Sequence, residues 1–448
     1  IAKNNLDYVL GFFELGDKTK LTYPYYGVGF ELPALLIENL FQLDNSRDTY
    51  FLRHLTIFLV SFVGSIFFFL IIQKRFKILI LSILGTIILI STPRIFAESF
   101  YNSKDIVFMN MFLISCYFGI NFIDNPKIKN ILFFSFFSAL TINVRVIGII
   151  IPVIFAFFFL IKFLRNDYKI SFLKVFFLFL SSLILFSIAM WPALWISPLD
   201  SFINAFQTFK SYEIELTNFY FGQYVSAKNL HWYYIPIWIL VTTPIYIIIL
   251  FVVGFFLKIL RIAKRIIKIE NDNSYNDLWR SKLELYDLIF FSIIFISIFS
   301  VILFNSTLYT GWRHLYFIYP FLIIFSIHAI KNISIYFKKN LKIRIIFSLC
   351  LIVSILHNFF WIYKNHPHQN VYFNFLAGPK PHLNYEIDYW GLSNRYALEY
   401  IGKNDERAQI KVSNISDTSL LLNFSILNKQ NKERLLYSTS ILNSDYLI

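Results

Sequence analysis

Residues 91–108 read STPRIFAESFYNSKDIVF. This stretch places Arg94, Glu98, Lys104 and Asp105 between two segments that are otherwise almost purely apolar. A soluble loop carries such a pattern without consequence. A short connection between two membrane helices that keeps two cations and two carboxylates is a candidate site, because charge at that depth is costly.

Both flanks belong to a chain of 448 residues of which 57% are hydrophobic, 20% aromatic and 15% charged, with a mean hydropathy of +0.59. That is far more apolar than ordinary globular usage and places the chain among integral membrane proteins. The basic balance, +14 at pH 7, does not indicate nucleic acid. Its cations fall in short runs between apolar segments, where they act as topology signals. Cys116 and Cys350 both lie inside apolar stretches, which gives neither a disulfide framework nor metal-type spacing.

A spanning helix needs about 20 apolar residues. Ten segments qualify: roughly 53–72, 77–92, 105–123, 129–143, 146–164, 171–190, 235–257, 287–304, 315–330 and 344–362. Asn143 and Arg145 sit at the shared tip of the fourth and fifth, so these two read either as spans or as a re-entrant hairpin. The connections alternate in charge. QKRFK, DNPKIKN, KFLRNDYK, the long loop after Lys258 and KNISIYFKKNLKIR hold twenty Lys and Arg, while the opposite set (Arg94, Lys104, Arg145, Lys210, Lys228, Arg313) holds six. By the positive-inside rule the first set is cytoplasmic, and the Ser91 loop faces outward. From about His366 the apolar runs stop. SNRYALEYIGK reads as a helix, AQIKVSN as a strand, DTSLLLNFSIL as a helix, and RLLYSTS and DYLI as short strands. The expectation is an all-α polytopic membrane protein of about ten spans with a small C-terminal α/β domain: 1–52 a first outer loop, 53–362 the transmembrane part, 363–448 the extracytoplasmic domain. The chain opens at Ile1 on a polar, aromatic stretch of the kind that hangs between two spans, and so reads as lacking the span before it.

No nucleotide-binding P-loop, nucleophile elbow or metalloprotease motif occurs. What remains is convergence on one face. Arg94, Lys104 and the Arg313-His314 pair lie at helix ends, where unpaired N–H groups and added cations favour an anion such as a phosphate. Glu98 and Asp105 in the same loop suit either a divalent metal or removal of a proton from a hydroxyl. Trp191, Trp195 and the Trp232–Tyr234 run suit a sugar-stacking surface or an interfacial belt. Each has a plainer reading. Lys104 and Asp105 make a local ion pair, His314 is structural, and Glu31, Glu38, Asp44 and Asp48 are solvated loop carboxylates.

Three stretches, PRIFAESFYNSKDI (93–106), GWRHLYFIYP (311–320) and HPHQNVYFNFLAGPKPHLNYEIDYWGLSNRYALEYI (366–401), together with YYGVGFELPALL (25–36), resemble bacterial membrane glycosyltransferases of the dolichyl-phosphate-mannose-protein mannosyltransferase type. These are family 39-like enzymes with the GT-C fold. The resemblance implies an inverting hexosyl- or pentosyltransferase of the cell (inner) membrane. Its donor is a polyprenyl-phosphate sugar, its acceptor a protein, lipid or glycan hydroxyl, and its active site faces the extracytoplasmic side. It implies no nucleic acid partner and leaves a divalent metal (Mg or Mn) as an optional cofactor. Carried over residue by residue, Asp105 and Glu98 are the catalytic candidates, though Glu98 stands where His is expected. Arg94, Lys104, Arg313 and His314 are the donor-phosphate candidates. The 366–395 block matches the family without an assigned chemistry; with Trp191 and Trp195, its Tyr372, Asn374, Asp388 and Trp390 are candidates for a sugar or acceptor surface. The family's main acidic pair would fall upstream of Ile1. A transporter or flippase of a lipid-linked sugar or anion is the alternative; it calls for ionisable residues deep in the spans and broken helices.

Overall fold

The computed structural model describes residues 26–165, 167, 171–210, 215–267, 279–415 and 420–448. The Lys210 side chain, residues 1–25 of the first loop and 268–278 of the long basic loop lie outside the described residues.

Among the described residues, eight helices are long and apolar enough to cross a membrane: Ser46–Phe76, Asp105–Asp124, Val146–Leu164, Phe172–Ala189, Ile245–Lys264, Lys282–Leu303, Arg313–Tyr336 and Leu341–Lys364. A ninth candidate is the pair Leu79–Ile90 and Pro93–Tyr101, bent by 70°. The helix Ile128–Val144 has 17 residues, a rise of about 25 Å against a hydrocarbon core of about 30 Å. Together these account for the ten apolar segments. The last two segments of the first half form separate helices that meet at an extended Arg145 and a short 3-10 turn, Val146–Ile149.

Local chemistry explains the ends. Asn45 accepts from the Arg47 amide at 3.0 Å to start the first long helix, as capping side chains do. Its last turn closes on Lys77 in the left-handed region. The segment expected as one span over 235–257 is instead two helices, Tyr234–Thr242 and Ile245–Ile267. Thr243 is extended because the following Pro244 disfavours the helical conformation in the residue before it.

Phe62, Ile66, Phe177, Leu185, Ile249, Leu349 and Leu356 are exposed on the bundle's outside, as an apolar solvent allows. The helices nearest the middle are Asp105–Asp124 and Arg313–Tyr336, 78% and 72% buried against 17% for Leu341–Lys364. The connection after Ala189 carries a hairpin, Thr217–Tyr220 with Gln223–Ser226, turned by Phe221 and Gly222, both at positive φ. Such a turn matches strand twist. Asn218 ties this hairpin to the next connection, donating to Leu308 O at 2.9 Å and accepting from the Thr310 amide at 3.0 Å. Beyond residue 391, Leu392–Asn404 and Leu420–Ser425 pack on a parallel sheet with Ile410–Ser413 between Leu435–Tyr437 and Tyr446–Leu447. Leu398, Ile401, Ile410, Val412, Leu420 and Leu435 make its separate core.

Candidate active site

The short helix Pro93–Tyr101 starts on a proline, a residue preset for the first helical turn. Its base is pinned by Thr92, whose hydroxyl lies 2.9 Å from both Ile88 O and the Tyr319 hydroxyl. Spacing of four places Arg94 and Glu98 on the buried face and leaves Phe96, Ser99 and Phe100 on the other.

Asn102 then organises both carboxylates. Its Oδ1 accepts from the Lys104 and Asp105 amides at 3.1 and 2.8 Å, satisfying the start of the next helix. Its Nδ2 donates to Glu98 Oε2 at 2.6 Å and Asp105 Oδ2 at 3.1 Å. Asp105 is paired with Arg145 through Oδ1 and with Arg313 Nη1 through Oδ2, the latter at 2.8 Å. Three distant parts of the chain thus share one fully buried carboxylate. At this depth a single unpaired charge is far costlier than the assembled set. Glu98 Oε1 accepts from the Tyr316 hydroxyl at 2.9 Å and the Tyr389 hydroxyl at 2.6 Å. Burial, with the Glu98 charge adding to it, pushes the Tyr389 phenol well above its ordinary range, so it remains a donor.

The remaining candidates divide. Lys104 lies 3.6 Å from Glu31 Oε1 and over the Tyr26 ring at 4.2 Å, so its carboxylate partner is Glu31 and not the adjacent Asp105. Glu31 and Glu38 are not loop carboxylates either: both sit on the helix Glu31–Leu40 and bind Arg53, Glu38 while buried. Arg94 is buried beneath Phe373 and Trp238 and donates to Tyr372 O at 3.0 Å, which holds the 366–391 segment onto the short helix. His314 packs edge-on against Tyr309 at 4.8 Å. Trp390 lies beside the Arg313 guanidinium at 5.1 Å and Tyr101 at 5.9 Å.

Other residues read as surface are structural in position. Trp191 is fully buried with Ile142, Val146 and Leu194. Trp195 is 38% exposed and donates to Ile188 O at 2.6 Å. Asn374 donates to Leu240 O and Thr243 O at 2.6 and 2.7 Å, closing the helix broken before Pro244. Asp388 accepts from the Ser393 amide at 2.8 Å at the start of the next helix.

Two features had no signal strong enough to find them. Arg145 reads in the sequence only as a helix tip, and its partner Asp105 lies forty residues earlier in the chain. The glycines of YYGVG explain how the first described segment reaches it. The Gly27 amide donates to Asn143 O at 2.8 Å, and a Cβ on Gly27 would stand 1.7 Å from Asn143 Oδ1.

Beside the charged cluster runs a groove of about 400 Å³ between the first long helix, Leu79–Ile90 and Pro93–Tyr101, lined by Phe58, Phe62, Ile66, Thr86, Phe96 and Phe100 among others. Its hydroxyls are turned away. Ser61, Ser65, Thr86 and Ser99 each donate to a carbonyl four residues back in their own helix, so the groove offers hydrocarbon alone. Its upper end leads to the charges: Phe58 stacks on Phe100 at 5.2 Å, and one turn above, His54 meets Tyr101 at 6.5 Å.

At the opposite end, four spans meet at Asp287. Arg75 Nη2 and Lys258 Nζ each lie 2.6 Å from its Oδ2, and His328 Nε2 lies 2.8 Å from its Oδ1. All four residues are buried. Buried ionisable residues within the spans are what the transporter alternative calls for. Single charges in apolar runs carry no mark of the partner that will neutralise them.

Solved structures similar to the chain include two of ArnT. The crystal structure of ArnT from Cupriavidus metallidurans in the apo state is 11% identical with a TM-score of 0.49, covering 96% of this chain and 79% of that one. The crystal structure of ArnT from the same organism bound to undecaprenyl phosphate is 12% identical with a TM-score of 0.49, covering 95% and 79%. No family model matches the chain, and no curated protein matches it in sequence.

Proposed function

We propose that the chain is a membrane glycosyltransferase that moves a sugar from a polyprenyl-phosphate donor to an acceptor hydroxyl at the non-cytosolic face of the cell (inner) membrane. One observation carries the reading: Arg145 and Arg313 meet on the buried Asp105, with Lys104 next to it on the partly exposed Glu31, at one end of the bundle beside a groove lined by apolar side chains. A lipid phosphate needs both. Its tail lies along the groove, and its head meets cations held ready at a place where water is scarce.

Charge on the phosphate grows as the bond to the anomeric carbon breaks, and cations already in place lower that barrier without reorganising. Asp105 holds two guanidiniums in register, and Glu98 holds the Tyr316 and Tyr389 hydroxyls. We assign these carboxylates the placement of charge, since their oxygens are already taken by donors. Among the described residues no three His, Cys, Asp or Glu come together in a metal-type cluster.

The test is transfer from a polyprenyl-phosphate sugar by the full-length protein in nanodiscs. Arg313→Ala should lower the rate about a hundredfold, the usual scale for losing one preorganised donor, while Asp105 keeps Arg145. An unchanged rate would remove Arg313 from the site. A second reading, transport of a lipid-linked sugar or anion, draws on the buried Arg75, Lys258, Asp287 and His328 and on the helix broken at Pro244. Flux into proteoliposomes without glycosyl transfer would favour it.

A further inference from the structure

Three polar atoms at the site are buried without a hydrogen-bond partner among the described residues: the Tyr101 hydroxyl, Trp390 Nε1 and His314 Nδ1. Each belongs to a side chain that keeps part of its surface exposed, while the polar atom itself is covered. Unpaired buried groups are few in native proteins and usually mark a missing water or ligand. Arg313 links the three. Tyr101 and Trp390 meet edge to face at 5.9 Å, Trp390 lies 5.1 Å from the Arg313 guanidinium, and Arg313 and His314 flank the same Tyr309 ring, each at 4.8 Å. Arg94 Nη2 and Asp105 Oδ1 also lack a hydrogen bond, although Asp105 Oδ1 is ion-paired with Arg145. The Glu98 carboxylate and its donors Asn102, Tyr316 and Tyr389 are bonded to one another.

We propose that Tyr101, Trp390 and His314 form the subsite for the glycosyl ring of the donor. The inference rests on the function proposed above and names where that reading places the sugar. In a glycosyl phosphate the ring is joined directly to the phosphate. Once Arg313 holds the phosphate, the ring must lie within about one ring width of it, and Trp390 stands at that distance. A sugar presents an apolar face of C–H groups and an edge of hydroxyls. An indole beside a phenol matches both, with flat apolar area and an N–H or O–H at the rim. Tyr101 and Trp390 then act on the sugar and not on the lipid.

The experiment compares binding of polyprenyl phosphate with binding of the same lipid carrying a sugar, to the full chain in nanodiscs, by displacement of a radiolabelled polyprenyl phosphate. The wild type should favour the glycosylated lipid. Trp390→Ala and Tyr101→Phe should each lower that preference about fivefold, the scale of one lost hydrogen bond. Tyr101→Phe removes a single oxygen, so it decides the matter even if Trp390→Ala does not fold. Equal weakening toward both lipids would mean that these residues only support Arg313, and the subsite would be wrong. No change toward either would also overturn it. A wild type that binds the bare lipid without preferring the glycosylated one sinks the subsite alone, whereas a wild type that binds neither removes the proposed function itself.

Discussion

Asn102 is the residue on which the charged cluster turns, and its role is local. Standing between Glu98 and Asp105, its amide reaches both carboxylates while its carbonyl oxygen closes the start of the next helix. That proximity was legible in the sequence, because four residues on a helix return to the same face. The far partners were not. Nothing in YWG announces that Tyr389 bonds Glu98 across 291 positions. Replacing Tyr389 by Phe takes one of two hydroxyls from Glu98 Oε1 and should cost about 2 kcal/mol, the range for a bond to a charged group, read as a lower thermal unfolding midpoint. Gly27→Ala should push the first described segment off the tip at Asn143 and speed proteolysis between residues 26 and 45. The double variant Gly27→Ala/Asn143→Gly removes all three obstructing atoms, the Asn143 Cβ at 2.7 Å included, and protection should return.

Among the elements, the sequence marks where helices stop better than where they meet. Pro93 and Pro244 are visible breakers, and the chain bends or breaks at both. The meeting at Asp287 is decided by packing alone. Two cations and a histidine from three other helices share that one carboxylate. Asp287→Ala leaves Arg75 and Lys258 buried beside each other without an anion, which should cost about 3–5 kcal/mol. Differential scanning calorimetry of the detergent-solubilised protein measures it. A midpoint equal to the wild type's would show that water reaches these cations.

At the scale of the molecule, charged groups sort to two ends. The Asp105 cluster, the hairpin and the 366–391 segment share one end. Asp287, the Lys74–Asp124 pair at 3.6 Å and the contact of Arg165 with Trp279 share the other. With the native Cys350 replaced by Ser, the exposed variants Lys228→Cys and Lys338→Cys should react with an impermeant maleimide from opposite sides of a sealed vesicle. Lys338→Cys should label only from the cytoplasmic side. Labelling of both from one side would dissolve the two-ended arrangement.

Composition and periodicity were enough to establish a helical membrane protein, the order of its apolar segments and the mixed pattern of its tail, because burial in lipid demands long apolar helices whatever their partners. They also picked out Asp105 and Arg313 as charges too costly to be idle. Which charge meets which was settled only by the tertiary structure. Arg145 with Asp105, Lys104 with Glu31 and Arg94 with a backbone carbonyl are pairings across the bundle. A cation in an apolar run must find a counter-charge, yet its own sequence neighbourhood does not say from which helix that counter-charge will come.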